Sequence, residues 1–248
     1  MYVDFAQVYD RLMQDVDYTA WADYYVSLLS MAGISPGATV TECACGTGSL
    51  SLPFSERYTL TGLDISQEML SIAADKLRRH GKNVPLIRQD MQKLSLIKKQ
   101  DAILATCDGV NYLRDKRSLQ KFFTSTLMHL KPGGVLCFDI SSVHKLRHTL
   151  GNNTLSHTQG DVHYIWYNDW HEAKHLLQME LHLYVKESQG HWRYLVEHQV
   201  QRAWSADELR AELELAGFDA ITIFGDRTFV LPDEQTQRLH ISALKKTQ

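Results

Sequence analysis

Long apolar runs are missing from this 248-residue chain. Its first residues carry Asp4, Asp10, Asp15 and Asp17 instead, so neither a signal peptide nor a transmembrane helix is expected, and the cytoplasm is the default compartment. Blocks of like charge are missing too. The net charge is −3, and basic residues fall in short clusters such as Lys76-Leu77-Arg78-Arg79 and Lys98-Lys99. Such clusters suit a solvated helix face or loop better than a nucleic-acid footprint. Cysteine is scarce: Cys43, Cys45, Cys107 and Cys137 all lie in or beside apolar segments. Cys43-x-Cys45 lacks the two-residue spacing of zinc and redox motifs, so buried reduced thiols are expected. Internal repeats and low-complexity segments are absent as well. With 44% hydrophobic and 22% charged residues, what remains is an ordinary globular chain, either one large α/β domain or a core domain with a small insertion.

One motif invites a metal. His171-Glu172-x-x-His175 has the spacing by which zinc proteases hold their ion, but only on a helix, where positions i and i+4 share a face. From Leu177 to Lys186 apolar and polar residues alternate, as they do over His163–Tyr167, so both flanks read as strands and Asn168–Lys174 as a hairpin tip. Across an extended chain the two histidines would stand ~13 Å apart, too far to share one ion. No metal is expected.

Residues 18–32 place Trp21, Tyr24, Tyr25, Leu28, Leu29 and Ala32 at helical spacing before Gly33,. Short apolar strands follow at 38–43, 58–63, 84–89, 101–106 and 134–140, separated by helical patterns at about 48–56, 66–80 and 116–130. This order predicts a doubly wound, mostly parallel sheet. Between Ser141 and Ala203 it breaks. A polar loop containing HTLGNNT leads into three alternating segments near 162–168, 175–186 and 191–203, the last two joined by ESQG. That pattern predicts an antiparallel β insertion over 141–203 in a core formed by 1–140 and 204–248. The core resumes with the capping box Ser205-x-x-Glu208, a helix ending at Gly217, and strands near 218–224 and 238–244,.

Polar residues collect where the strands end. Glu42 closes the first strand, and Gly46 and Gly48 open the turn after it. Glycines there let backbone approach a ligand at a helix N-terminus, although many strand-to-helix turns use glycine for steric reasons alone. Asp64 ends the second strand, 22 residues beyond Glu42, where an acid can hold both ribose hydroxyls or cap the next helix. Asp90-Met91 ends the third; the acid can accept from an adenine amine and the methionine can cover a ring face. DAILATCDGVNYL, residues 101–113, runs the fourth strand into another polar loop. In open α/β sheets these ends form the ligand crevice.

Together with LKPGGVLCFDI, these segments resemble the motif series of class I S-adenosylmethionine-dependent methyltransferases, over essentially the whole chain outside the insertion. The N-terminal helix, NYL, the insertion and EHQVQRAWS further resemble uncharacterised bacterial small-molecule methyltransferases related to glycine N-methyltransferases. One departure is visible: Ala44 stands where the family has its first motif glycine. The resemblance implies a seven-stranded Rossmann-like fold and S-adenosylmethionine as cofactor. It implies that Glu42, Ala44, Gly46 and Gly48 lie against the cofactor's methionine portion, and that Tyr18 and Trp21 close over it. Asp64 would grip the ribose, Ile65, Met69, Asp90 and Met91 would surround the adenosine, and Cys107 and Asp108 would lie near the sulfonium.

Methyl transfer needs mostly position, and a weak nucleophile also needs a base. Asp108 and His198 are the catalytic candidates, with Tyr112 and Glu197 also expected near the crevice mouth. Each has a plainer reading: Asp108 as a turn cap, Tyr112 as packing, Glu197 and His198 as cross-strand partners. Arg202 could meet a substrate carboxylate or pair with an internal acid. An NAD(P) dehydrogenase would want a third glycine where Ser49-Leu50-Ser51 follows Gly48, and an RNA methyltransferase would want a basic stripe. A non-catalytic nucleoside-binding module stays open. The insertion is expected to be a lid over a small-molecule acceptor, its Trp166, Tyr167, Trp170, Tyr184, Trp192 and Tyr194 enclosing the pocket. Neither membrane nor nucleic acid is an expected partner, and oligomeric state is open.

Overall fold

A computed structural model describes residues 3–187 and 190–247. Seven strands form the main sheet: β1 (Thr39–Cys43), β2 (Thr59–Asp64), β3 (Leu86–Arg88), β4 (Gln100–Ala105), β5 (Leu130–Ser141), β10 (Phe218–Gly225) and β11 (Arg238–Lys245). Their spatial order is β10-β11-β5-β4-β1-β2-β3. Only β11 opposes its neighbours, pairing antiparallel with β5 and β10. Strand order reverses between β1 and β4, so a crevice opens at their carboxyl ends.

Apolar strands need cover on both faces. One face carries α5 (Lys116–His129) and α6 (Ala206–Ala216), with Phe122, Phe123, Phe138 and Trp204 fully buried. The other carries α2 (Tyr18–Met31) and the single turn α3 (Ser51–Phe54), around Tyr25, Leu28, Leu29 and Phe54. Each such side chain contributes about 1.5–3 kcal/mol through burial. Side chains fix the helix starts: Asp17 accepts from the Ala20 amide, Ser66 from Met69 at the head of α4 (Gln67–Arg79), and Ser205 and Glu208 close the expected capping box,.

Four differences from the sequence reading matter for function. A first helix, α1 (Val3–Leu12), precedes α2, and its Phe5 and Val8 pack with Met69 of α4 and with Val162, Leu183 and Val185 of the insertion. The helix expected over 48–56 is the one turn of α3; Pro53 has no N–H with which to bond a carbonyl one turn back. The insertion holds four strands, not three: β6 (Thr154–Gln159), β7 (Val162–His171), β8 (Leu176–Lys186) and β9 (Trp192–Arg202), antiparallel in that order. The stretch read as polar loop also contains a wide helical turn, Lys145–Leu150, that buries Leu146 and Leu150.

Of the ESQG turn, Ser188 and Gln189 lie outside the described residues. Strand β7 continues through His171, which narrows the hairpin tip to Glu172–Lys174 and His175. Among the described residues no helix is long and apolar enough to cross a membrane.

Candidate active site

Three contiguous cavities occupy the crevice. The first, about 300 Å³, lies along the ends of β2 and β3, lined by Asp64, Ile65, Met69, Asp90 and Met91. A smaller one of about 60 Å³ lies over the turn after β1, lined by Glu42, Ala44, Gly46 and Tyr18. The third, about 300 Å³, lies between the core and the insertion. Tyr9 of α1 and Cys107 line all three, and Tyr112 and Gln199 line both large ones. Tyr112 donates to Gln199 Oε1 at 2.8 Å, tying the loop after β4 to β9.

Backbone in the left-handed region concentrates at this junction. Ala44, Cys107 and Asp108 have φ of 54°, 56° and 62°, at a cost of order 1 kcal/mol each for residues that carry a Cβ. Asp139 on β5 holds the turn in place: its carboxylate accepts from the amides of Cys107 at 2.7 Å and Asp108 at 3.1 Å, and from the Tyr25 hydroxyl at 2.9 Å. Arg238 on β11 bridges Asp139 and Asp108. The Ala44 departure has a steric counterpart, since a Cβ on Gly109 would come within 3.0 Å of the Ala44 methyl. Alanine at one position is accommodated by glycine at the other.

The two motif glycines differ. Gly46 has φ of 54° and nothing within 4 Å of where a Cβ would stand, and its amide donates to Asp64 Oδ2 at 2.8 Å. At Gly48 a Cβ would meet the Ala73 Cβ at 3.0 Å. Gly48 lines none of the three cavities, so the cofactor contact expected of it is replaced by close packing against α4. Trp21 is also displaced from its expected role. It is buried, stacked on Tyr25, and set against His240 with Arg238 near its face, outside the cavity walls.

Asp64 accepts from the Gly46 and Ser66 amides; burial raises its pKa and these bonds partly offset the rise. Burial pushes Glu42 up to about 7 against hydrogen bonds from Ser51 and Thr106. Asp90 accepts from the Gln92 amide at 2.9 Å, capping the short turn that presents Met91.

The catalytic candidates divide. Asp108 lines the cavity under the insertion. Burial opposes its charge, but Arg238 and then Lys145 outweigh burial and hold its pKa below the ordinary value, which makes it a poor base. His198 is a correction. It sits on the outer face of β9, largely exposed, 3.5 Å from Glu180, while period two turns Glu197, Gln199 and Gln201 inward to line the cavity,. Tyr167, Trp192 and Tyr194 are exposed on that outer face too, so of the expected enclosing aromatics Trp166 lines the pocket, joined by Tyr164. Arg202 pairs with Glu208 and covers the Trp204 ring.

His171 ends a strand and His175 follows a tight turn at φ 53°. The helix that the HExxH motif requires is absent there. No group of three His, Cys, Asp or Glu suited to a metal occurs among the described residues.

Sequence reading missed Tyr9, Gln199, Lys145, Asp139 and Arg238. Of these Asp139 had a usable signal, as the single charged residue in the buried stretch Val135–Ser141 of β5.

A Rossmann-like sheet with acids at the ends of β1, β2 and β3, and a cavity of about 300 Å³ beside them, is the arrangement of a nucleoside-binding α/β fold,. A methyltransferase-domain family model matches residues 40–134. YqeM of Bacillus subtilis (strain 168), named provisionally as a methyltransferase, is 30% identical over 99% of this chain and 97% of its own. A crystal structure of an S-adenosylmethionine-dependent methyltransferase from Clostridium acetobutylicum ATCC 824 is 29% identical, with a TM-score of 0.89 and 99% of each chain covered. S-adenosylmethionine-bound CalS10, an amino pentose methyltransferase from Micromonospora echinaspora, shares the fold at 18% identity, with a TM-score of 0.77 over 98% of this chain and 96% of that one.

The chain belongs to the S-adenosylmethionine-dependent methyltransferases. Its cofactor is S-adenosylmethionine.

Proposed function

We propose that this methyltransferase modifies a small molecule enclosed between the core and the insertion. One observation carries the reading: the cavity of about 300 Å³ beneath β7, β8 and β9 opens onto the cofactor crevice at Tyr9, Cys107 and Tyr112. That volume suits a small ring compound,. Asp64 is assigned to the ribose, Asp90, Met91, Ile65 and Met69 to the adenosine, and Glu42, Ala44, Gly46 and Tyr18 to the methionine end. The fit rests on chemistry: a carboxylate at the end of β2 and apolar side chains flanking it suit a ribose bearing a flat base. Bound there, S-adenosylmethionine supplies an electrophilic methyl group on a sulfonium. Residues 141–203 act as the lid, and α1 packs against it and forms part of the cavity wall. Cytoplasmic location is part of the same reading, supported by four unpaired cysteines,.

Incubation with methyl-labelled S-adenosylmethionine and fractionated cell extract tests the proposal. Label is expected in a low-mass product. Label confined to protein or nucleic acid would overturn it.

A further inference from the structure

Glu197 is one of two acids lining the cavity beneath the insertion. It projects from the inner face of β9, is 2% exposed, and its Oε2 has no hydrogen-bond partner among the described residues. Its cross-strand partner is Leu181, and Tyr164, Trp166 and Met179 share the cavity wall. A buried carboxylate without a partner is costly, and a donor carrying positive charge compensates it best. The aromatic faces of Tyr164 and Trp166 favour the same kind of group. The other acid in this cavity, Asp108, is already occupied by Arg238.

From this geometry we infer that the methyl acceptor is an amine, and that Glu197 receives its N–H. The inference rests on the reading of this cavity as the acceptor pocket. The bound ammonium first hands one proton to the Glu197 carboxylate; the freed amine lone pair then forms the N–CH3 bond as the C–S bond breaks, and that bond's electrons stay on sulfur. Positive charge passes from sulfur to nitrogen, the product leaves as the methylated ammonium, and Glu197 passes its proton to solvent. Burial raises the pKa of Glu197, which suits a group that takes a proton and returns it.

A cation also lines the cavity. Lys145 stands on the wide turn after β5, so an acidic acceptor has a rival anchor, and a matched set of probes separates the two. Cyclohexylamine, cyclohexanol and cyclohexanecarboxylate are titrated by calorimetry into the full-length protein saturated with S-adenosylhomocysteine, and into its E197Q variant. The amine is expected to bind at least tenfold tighter than either analogue, and E197Q, which keeps the side-chain volume, to lose that preference while holding S-adenosylhomocysteine as before. A preference for the carboxylate, equal affinities, no binding of any probe, or an amine preference that survives in E197Q overturns the inference. Failure of S-adenosylhomocysteine itself to bind would instead count against the cofactor assignments on which it rests.

Discussion

Gly46 and Gly48 look interchangeable in the sequence, yet one leaves open space above a ligand crevice and the other makes room for Ala73 of α4. Residue-level chemistry here depends on such differences in surroundings. Glu42 is the clearest case, because burial moves its carboxyl from 4.5 to about 7. A folded-state pKa above the unfolded one means that the folded protein binds the proton more tightly. The resulting stabilisation is full below pH 4.5 and is lost as pH rises through about 7,. Replacing Glu42 by glutamine removes this dependence. Relative to wild type, the ligand-free E42Q protein should gain roughly 3 kcal/mol of stability between about pH 4 and pH 8. Urea unfolding at the two pH values measures the difference; a gap that does not change with pH would show that the carboxyl is not perturbed by burial.

At the scale of elements, the insertion sheet and α1 form one wall. Phe5 and Val8 pack on Val162, Leu183 and Val185, while Asp10 pairs with Lys76 of α4 at 2.8 Å and accepts from Thr47 at 2.6 Å. Replacing residues 154–202 by a short Gly-Ser linker should therefore abolish methyl transfer yet leave S-adenosylhomocysteine affinity within a few fold, because Asp64, Asp90 and Met91 lie outside it. Turnover and calorimetry on the folded variant check both halves. Loss of cofactor binding, or unchanged turnover, would give the insertion another role.

The same elements show what patterning can reveal. Strands β1, β2, β4 and β5 were legible because they are buried runs between turn signals, and β8 because its apolar residues alternate on the buried side. Strand β9 misleads: Trp192, Tyr194 and Val196 face outward and are exposed, while Glu197, Gln199 and Gln201 face in. Polar residues of β9 lining a cavity reverse the usual inside-outside rule, and of the adjacent Glu197 and His198, both expected near the crevice mouth, only Glu197 faces it. Edge strand β6 carries one apolar residue, Leu155, too weak a signal for period two. The acids at the ends of β1, β2 and β3 were readable from spacing alone. The Asp108–Arg238–Asp139 cluster was not, because it joins residues up to 130 positions apart.

Taken whole, the molecule sets two large cavities on either side of one strained turn. Order reversal between β1 and β4 opens the crevice, Asp139 and Arg238 hold Cys107 and Asp108 in their left-handed conformations, and the insertion closes the far side. On the proposed function, the transferred methyl crosses from one cavity to the other at this junction. A crystal structure of the complex with S-adenosylhomocysteine measures it directly. The ribose is expected on Asp64, the base beside Asp90 and Met91, and the sulfur in van der Waals contact with Cys107 or Tyr112, facing the cavity that holds Glu197. A sulfur facing solvent, or facing any surface other than that cavity, would contradict it.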